Sequence, residues 1–115
     1  MNTTAIGITH EEQAAEYLQS IGMTIIERNW RTRWCEIDIV ARDAEGAIHI
    51  VEVRFRKTDG SGDGIDSITY AKQRQLIHAA KRWLMLRGAP QGIQIDVIGL
   101  TDKDVEYIED AIQEF

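Results

Sequence analysis

The chain has 115 residues, a formal net charge of -6, and 43% hydrophobic and 7% aromatic content. That length supports a single domain over residues 1–115 with a modest core. One cysteine excludes an internal disulfide, and Cys35 with three scattered histidines makes no zinc spacing. The apolar runs are short and broken by charge, so no segment is expected to span a membrane. Met1-Asn2-Thr3-Thr4 lacks the basic stretch and apolar run of a signal peptide, which predicts a cytoplasmic protein.

The net charge argues against a general nucleic-acid binder, but it averages over a strong partition. Residues 28–57 and 71–87 together hold twelve of the thirteen Lys and Arg residues against five acids. The rest of the chain holds one lysine against fourteen acids. A single-signed field over part of a surface steers a polyanion even on an acidic molecule. Solvated acidic faces beside ordinary amphipathic elements explain the same partition equally well.

Residues 1–8 are expected to be frayed. Thr9 followed by Glu12 fits a capping box, predicting a helix from there to about Ser20. Its apolar stripe is Ala14, Ala15, Leu18 and Ile21, with Glu11 on or beside it and Glu12 and Glu16 facing outward. A first-turn acid favours the helix dipole, a sufficient role for Glu11 if it stood alone. Gly22 ends the helix, and residues 23–30 read as a strand containing Ile25 and Ile26.

Residues 28–34, Arg-Asn-Trp-Arg-Thr-Arg-Trp, follow, basic with aromatic interleaving. Such a segment can hold a phosphate backbone and stack a base. Alternatively Trp30 and Trp34 pack while the arginines pair with acids, and the pattern alone favours packing.

The centre of the chain is residues 35–56. Period-two alternation marks strands at 36–39 and 51–56, with Asp-Ala-Glu-Gly supplying the turn. With Gly46 as the left-handed residue of a three-residue loop, Asp43 pairs with Ala47. Counting back then places Asp38 opposite Glu52 and Glu36 opposite Arg54. Directly opposed side chains have Cβ atoms roughly 5 Å apart. Two carboxylates at that separation require a guanidinium or a metal ion between them.

Residues 58–67 read as a loop containing D-G-S-G-D-G-I-D. It superficially resembles a calcium loop, but Tyr70 stands where the twelfth-position Glu is needed. Ser67 or Thr69 caps a second helix reaching about Arg87, with Leu76, Ile77, Ala80, Trp83 and Leu84 as its buried stripe. Gly88 and Pro90 stop it. Residues 93–100 alternate as a strand with Ile93, Ile95 and Val97 on one face. An acidic end follows, with an edge strand at about 105–108. The order αβββαβ predicts an α/β fold with a mixed sheet and helices packed against it.

Glu11, Asp38 and Glu52 form one hypothesis. Oxygen ligands of this kind suit Mg2+ or Mn2+, with water completing the octahedron. A metal there lowers the pKa of a bound water and balances charge on a phosphoryl transition state. Arg54 supplies positive charge and hydrogen bonds but stays protonated, so it is no general base. In the alternative, Arg54 and Arg56 simply neutralise Glu36, Asp38 and Glu52.

G-I-T-H-E-E-Q-A-A-E-Y-L, E-R-N-W-R, C-E-I-D-I-V, V-E-V-R-F-R, Y-A-K and A-A-K-R-W-L together resemble the uncharacterised bacterial YraN-like family, UPF0102. The likeness extends to about Leu86. It implies a restriction-endonuclease-like fold, related to archaeal Holliday junction resolvases. It also implies that Glu11, Asp38 and Glu52 match the acids of a nuclease-like motif, while Arg28, Asn29, Arg56 and Lys72 match recurrent polar positions. Three departures stand out. Cys35 replaces the glycine of G-E-I-D, Arg54 replaces the lysine of E-V-K-x-R, and His10 replaces the glycine before the helix acid. In related nucleases that lysine belongs to the active centre, so Arg54 puts turnover in question more than fold or metal binding.

The resemblance implies a reaction only by analogy. The leading expectation is a metal-dependent endonuclease-like protein that cleaves or binds DNA, including branched DNA. Glu11, Asp38, Glu52 and Arg54 would form the catalytic group, the three acids being metal ligands. Arg28, Asn29, Arg31, Arg33, Arg56 and Lys72 would contact nucleic acid. A homodimer would suit a two-fold junction. The alternatives are a catalytically weak or inactive nucleic-acid-binding module and a small protein-interaction domain.

Overall fold

The computed structural model describes residues 9–56 and 68–113. In chain order the elements are α1 (His10–Ser20), β1 (Thr24–Arg31), β2 (Glu36–Arg42), β3 (Ile48–Phe55), α2 (Tyr70–Arg87), β4 (Ile93–Leu100) and β5 (Val105–Ile112). The strands form one sheet in the order β1-β2-β3-β4-β5. Only β3 and β4 are parallel, joined through α2, and the other neighbours are antiparallel. This is the α/β architecture the sequence predicts, of restriction-endonuclease type. The edge strand β5 completes the order αβββαββ and reaches Ile112, beyond the expected 105–108. The expected frayed start and the 58–67 loop lie outside the described residues.

Local chemistry fixes the ends of α1. The Thr9 side chain accepts the Glu12 N–H at 3.0 Å, and Glu11 and Glu12 occupy the positive end of the helix. At the other end Gly22 takes φ +98, while Gly22 and Met23 donate to the carbonyls of Gln19 and Leu18. That pair of bonds is a Schellman closure, which needs a residue at positive φ. Ile21 caps the helix there and is exposed, so it leaves the apolar stripe. In α2, Thr69 is the cap, accepting from the Lys72 N–H at 3.1 Å. Ala79 is buried on that helix and Leu84 is only half-buried, so the packed face takes in Ala79 and leaves Leu84 at its edge.

The β2–β3 turn forms as the loop chemistry predicts. Asp43 donates its N–H to the Ala47 carbonyl at 3.0 Å, and its carboxylate takes the N–H groups of Glu45 and Ala47. The register through Arg42↔Ile48 and Ile39↔Val51 follows from that turn.

Two cores cover the two faces of the sheet. Leu76, Ile77, Ala80 and Trp83 of α2 pack on Ile37, Val40, Ile50, Ile95 and Val97. Ala14, Ala15 and Leu18 of α1 pack on Ile39, Ala41, Val51, Ile98 and Leu100. Strand alternation should place Ile37 and Ile39 on one face, yet they lie on opposite faces. The break falls at Asp38. Its neighbour across β1 is Asn29, which has φ 53 and sits between the pairs Arg28↔Ile39 and Trp30↔Ile37.

Candidate functional site

The site begins where the sheet forks. The β2–β3 ladder ends at Ile39↔Val51, although both strands continue. Beyond it β2 stays paired with β1 through Ile37 and Glu36, while β3 stays paired with β4 through Glu52 to Phe55. Asp38 spans the fork. Its Oδ2 accepts the N–H of Val53 at 2.8 Å, satisfying a donor that the parted ladder would leave open. The expected face-to-face pairs therefore do not form as a regular ladder. Glu36 meets Arg31 across β1, with 3.6 Å between Arg31 Nε and Glu36 Oε2, rather than Arg54 across β3.

Asp38 and Glu52 nevertheless come together. Glu52 is almost fully buried, and the two carboxyls interact both by charge and by a hydrogen bond. Burial first, and then the Glu52 charge, push the Asp38 carboxyl up to about 7, against the opposing Val53 N–H. The Glu52 carboxyl is also raised, by burial above all, with Lys72 and Arg54 working the other way. Both cations stand at loose distances from Glu52 Oε2. Arg54 lies at 3.6 Å and Lys72 at 3.9 Å, longer than a firm charged hydrogen bond. Lys72 Nζ also approaches the Cys35 sulfur at 3.8 Å. Burial raises the Cys35 thiol, so the sulfur stays protonated at neutral pH.

Glu11 reaches this fork from α1 through its charge, which helps to raise Asp38. The helix start is held there by His10, whose ring stacks on Phe55 with centroids 3.7 Å apart and planes at 12°. Phe55 ends β3, next to Arg54. His10 thus ties the start of α1 to the strand carrying Glu52. Among the described residues no three His, Cys, Asp or Glu side chains are gathered closely enough to hold a metal. The donor set is a pair of carboxyls carrying excess negative charge. It suits an oxygen-seeking divalent ion bound by one or two carboxylates and water.

The residues expected to meet nucleic acid are dispersed. Arg28 is paired with Glu12 of α1 at 2.9 Å, and Arg31 with Glu36. Asn29 is exposed beside Asp38 in register. The Arg33 guanidinium lies over the Trp34 ring, 5.2 Å from its centroid. Arg56 follows β3, its N–H donating to Leu100 at 3.0 Å. Lys72 alone of this group joins the acid pair. Trp30 and Trp34 divide the two alternatives between them, since Trp30 packs on the core while Trp34 is exposed.

A second polar cluster escaped the sequence reading. His49 is buried, with Nδ1 at 2.6 Å from Asp96 and Nε2 at 2.8 Å from Asp43. Asp96 also accepts from the Tyr107 hydroxyl, the Asp110 N–H and Gln94. Its two carboxylate partners outweigh burial and lift His49 to about 9, while Asp96 is held below the usual range despite its burial. The strand alternation around residues 48–51 and 95–98 was the available signal. It places His49 and Asp96 as the one polar residue in each of these otherwise apolar four-residue stretches.

Among the described residues no helix is long and apolar enough to cross a membrane. The family model of uncharacterised protein family UPF0102 matches residues 10–100. A UPF0102 protein of Serratia proteamaculans is 39% identical over 114 residues, covering 96% of this chain and 97% of its own. Its counterpart in Ralstonia pickettii is 40% identical over 114 residues, covering 95% and 90%. That of Nitrosococcus oceani is 38% identical over 109 residues, covering 90% and 87%. With a family model spanning most of its length and relatives matching end to end, the chain belongs to the UPF0102 family.

Proposed function

We propose that the protein is a metal-dependent DNA-processing protein that hydrolyses phosphodiester bonds at the fork between β2 and β3. The observation that carries the proposal is the juxtaposition of Asp38 and Glu52 at that fork, with Arg54 and Lys72 beside them. Asp38 and Glu52 would hold Mg2+ or Mn2+, and Glu11 would add its charge from α1. When bound, such an ion activates water and offsets charge on the phosphoryl group. Arg54 contributes charge and hydrogen bonds to a phosphate but accepts no proton. Lys72 supplies a second positive group, 3.9 Å from the same Glu52 oxygen.

Titration with Mn2+ tests the site directly. Wild type should bind specifically, and Asp38→Ala or Glu52→Gln should weaken binding about tenfold or more. Equal affinity in all three folded proteins would remove the metal-site reading. Cleavage of branched DNA with Mg2+ and Mn2+ then tests the reaction, comparing wild type, Arg54→Lys and Asp38→Ala. Weak wild-type cleavage, stronger in Arg54→Lys and lost in Asp38→Ala, is the expected pattern.

Arg54 itself supports a second reading. If the reaction needs a neutral amine to accept a proton, arginine cannot provide it. Inactivity of all three proteins, with binding retained, would then leave a non-catalytic nucleic-acid-binding module.

A further inference from the structure

Beside the acid pair, α2 and the segment after β1 enclose two adjoining clefts. One, of about 290 Å³, is lined by Trp34, Arg74, Ile77, His78 and Lys81 among others. The other, of about 600 Å³, runs between Trp30, Arg31, Arg33 and Arg82, with Trp34 and His78 again in its wall. Trp34 and His78 meet edge to face, with centroids 4.8 Å apart, and form the ridge shared by both clefts. Trp34 is 51% exposed, an unusual state for the most apolar large ring.

The electrostatics of this groove run against those of the whole molecule. No described residue lining either cleft is acidic, although the chain carries a net charge of -6. Residues 71–87 hold five Lys and Arg residues and no acid. Neighbouring residues link the groove's ridge to the proposed site. Trp34 precedes Cys35, which Lys72 approaches at 3.8 Å, and Lys72 is the cation beside Glu52.

We infer that the groove across Trp34 and His78 is a platform for an unpaired DNA strand, on which a base stacks while the surrounding cations hold its phosphates. The choice of DNA rests on the proposed nuclease reading, and the inference adds that the preferred substrate carries single-stranded nucleotides beside the fork. Stacking on an aromatic face inside a basic groove is the physical basis of single-strand binding. A duplex keeps its bases inside and offers Trp34 only phosphates. An acidic peptide would match the charge but has no flat ring to pair with the ridge. Arg33 now covers one face of Trp34, and its exposed side chain can swing from the ring to a phosphate without disturbing the core.

The test is binding of a fluorescently labelled oligothymidylate at low salt with chelator present, so that neither metal nor cleavage contributes. Wild type, Trp34→Ala, Trp34→Phe and Lys103→Ala, the last an exposed lysine between β4 and β5, are compared, with a blunt duplex and polyglutamate as competitors. Wild type should bind the oligonucleotide in preference to both competitors, with quenching of tryptophan fluorescence. Trp34→Ala should lose about tenfold in affinity. Trp34→Phe should keep most of the affinity while losing most of the quenching, and Lys103→Ala, which lies outside both clefts, should nearly match wild type. Equal binding by Trp34→Ala, or competition by polyglutamate as strong as by the oligonucleotide itself, overturns the platform. Branched DNA left uncut by wild type, with Trp34-dependent oligonucleotide binding intact, would sink the nuclease reading and leave the platform standing.

Discussion

Two buried acidic clusters share strand β3, one joining it to β2 and the other to β4 and β5, and they are built on different principles. In the first, Asp96 and Asp43 bracket His49, and donors from Tyr107, Asp110 and Gln94 complete the Asp96 shell. In the second, Asp38 and Glu52 face each other with one backbone donor and two distant cations. Burying a charge is costly unless it is paired and hydrogen-bonded. The first cluster meets that condition in full, and the second meets it with a hydrogen bond between the two carboxyls, the Val53 N–H and cations at 3.6 and 3.9 Å. The raised Asp38 carboxyl marks the difference, and under the proposed function a divalent ion would take the place of its proton.

Breaking the satisfied cluster should have the largest effect on stability. Asp96→Ala strips partners from His49, Tyr107, Gln94 and the Asp110 N–H at once, and should cost about 3–5 kcal/mol in denaturant unfolding. A cost below about 1 kcal/mol would mean that water replaces the carboxylate readily and the cluster is not a structural tie. The pH dependence follows from the shifts. His49 is raised from 6.5 to about 9, so its contribution is complete below 6.5 and is lost as pH climbs through 9. Asp96 and Asp43 are lowered, so theirs is present above the ordinary carboxyl range and is lost in acid. The wild-type cluster should therefore stabilise across the neutral range and fail at both ends.

Relieving the frustrated cluster should have a smaller effect of opposite sign. Asp38 is raised from 3.8 to about 7, so the folded protein keeps a proton that the unfolded chain gives up. Stability then falls as pH rises from about 4 to 7, through this group alone. Asp38→Asn keeps an oxygen for the Val53 N–H and removes the charge. It should stabilise the metal-free protein by about 1 kcal/mol at pH 8, and by almost nothing near pH 4. Added Mn2+ should raise the wild-type midpoint at pH 8 and leave the variant unmoved. A variant less stable than wild type at pH 8 would mean that the fork is adequately compensated and invites no ion.

The contrast also shows what the sequence could disclose. Turn chemistry at Asp43 and Gly46 set the hairpin register by local rules, and the count from Ala47 back towards Asp38 held as far as Ile39↔Val51. The cap at Thr9 and the stop at Gly22 were equally local. The fork itself depends on Asn29 taking positive φ on a different strand, which no alternation in residues 36–39 announces. It moved Asp38 from a regular sheet face into the gap, although the pair with Glu52 survived. The His49 cluster was harder still, because Asp96 lies 47 residues away and Tyr107 58 residues away in sequence. A lone histidine in an apolar strand carries no mark of partners that only a parallel pairing and an edge strand bring to it.

A third kind of charge pair sharpens the comparison, and it should have the smallest effect on stability. Arg28 meets Glu12 through both terminal guanidinium nitrogens, at 2.9 and 3.3 Å, with side chains 37% and 45% exposed. The pairing raises Arg28 and lowers Glu12, yet both remain in water, where salt and solvent weaken the attraction. Glu12→Gln keeps a hydrogen-bond acceptor and removes the charge, so the thermal midpoint should move by about 1 °C or less. Its effect should appear in DNA binding instead. If Arg28 contacts phosphate as proposed, Glu12 would compete for it, and releasing that arginine should raise affinity at low salt by about twofold and steepen the salt dependence by about one counterion. Arg28→Ala should move both in the other direction. If Glu12→Gln leaves the salt slope unchanged while Trp34→Ala weakens binding, the DNA path runs over the α2 groove alone and Arg28 serves only to tie β1 to α1.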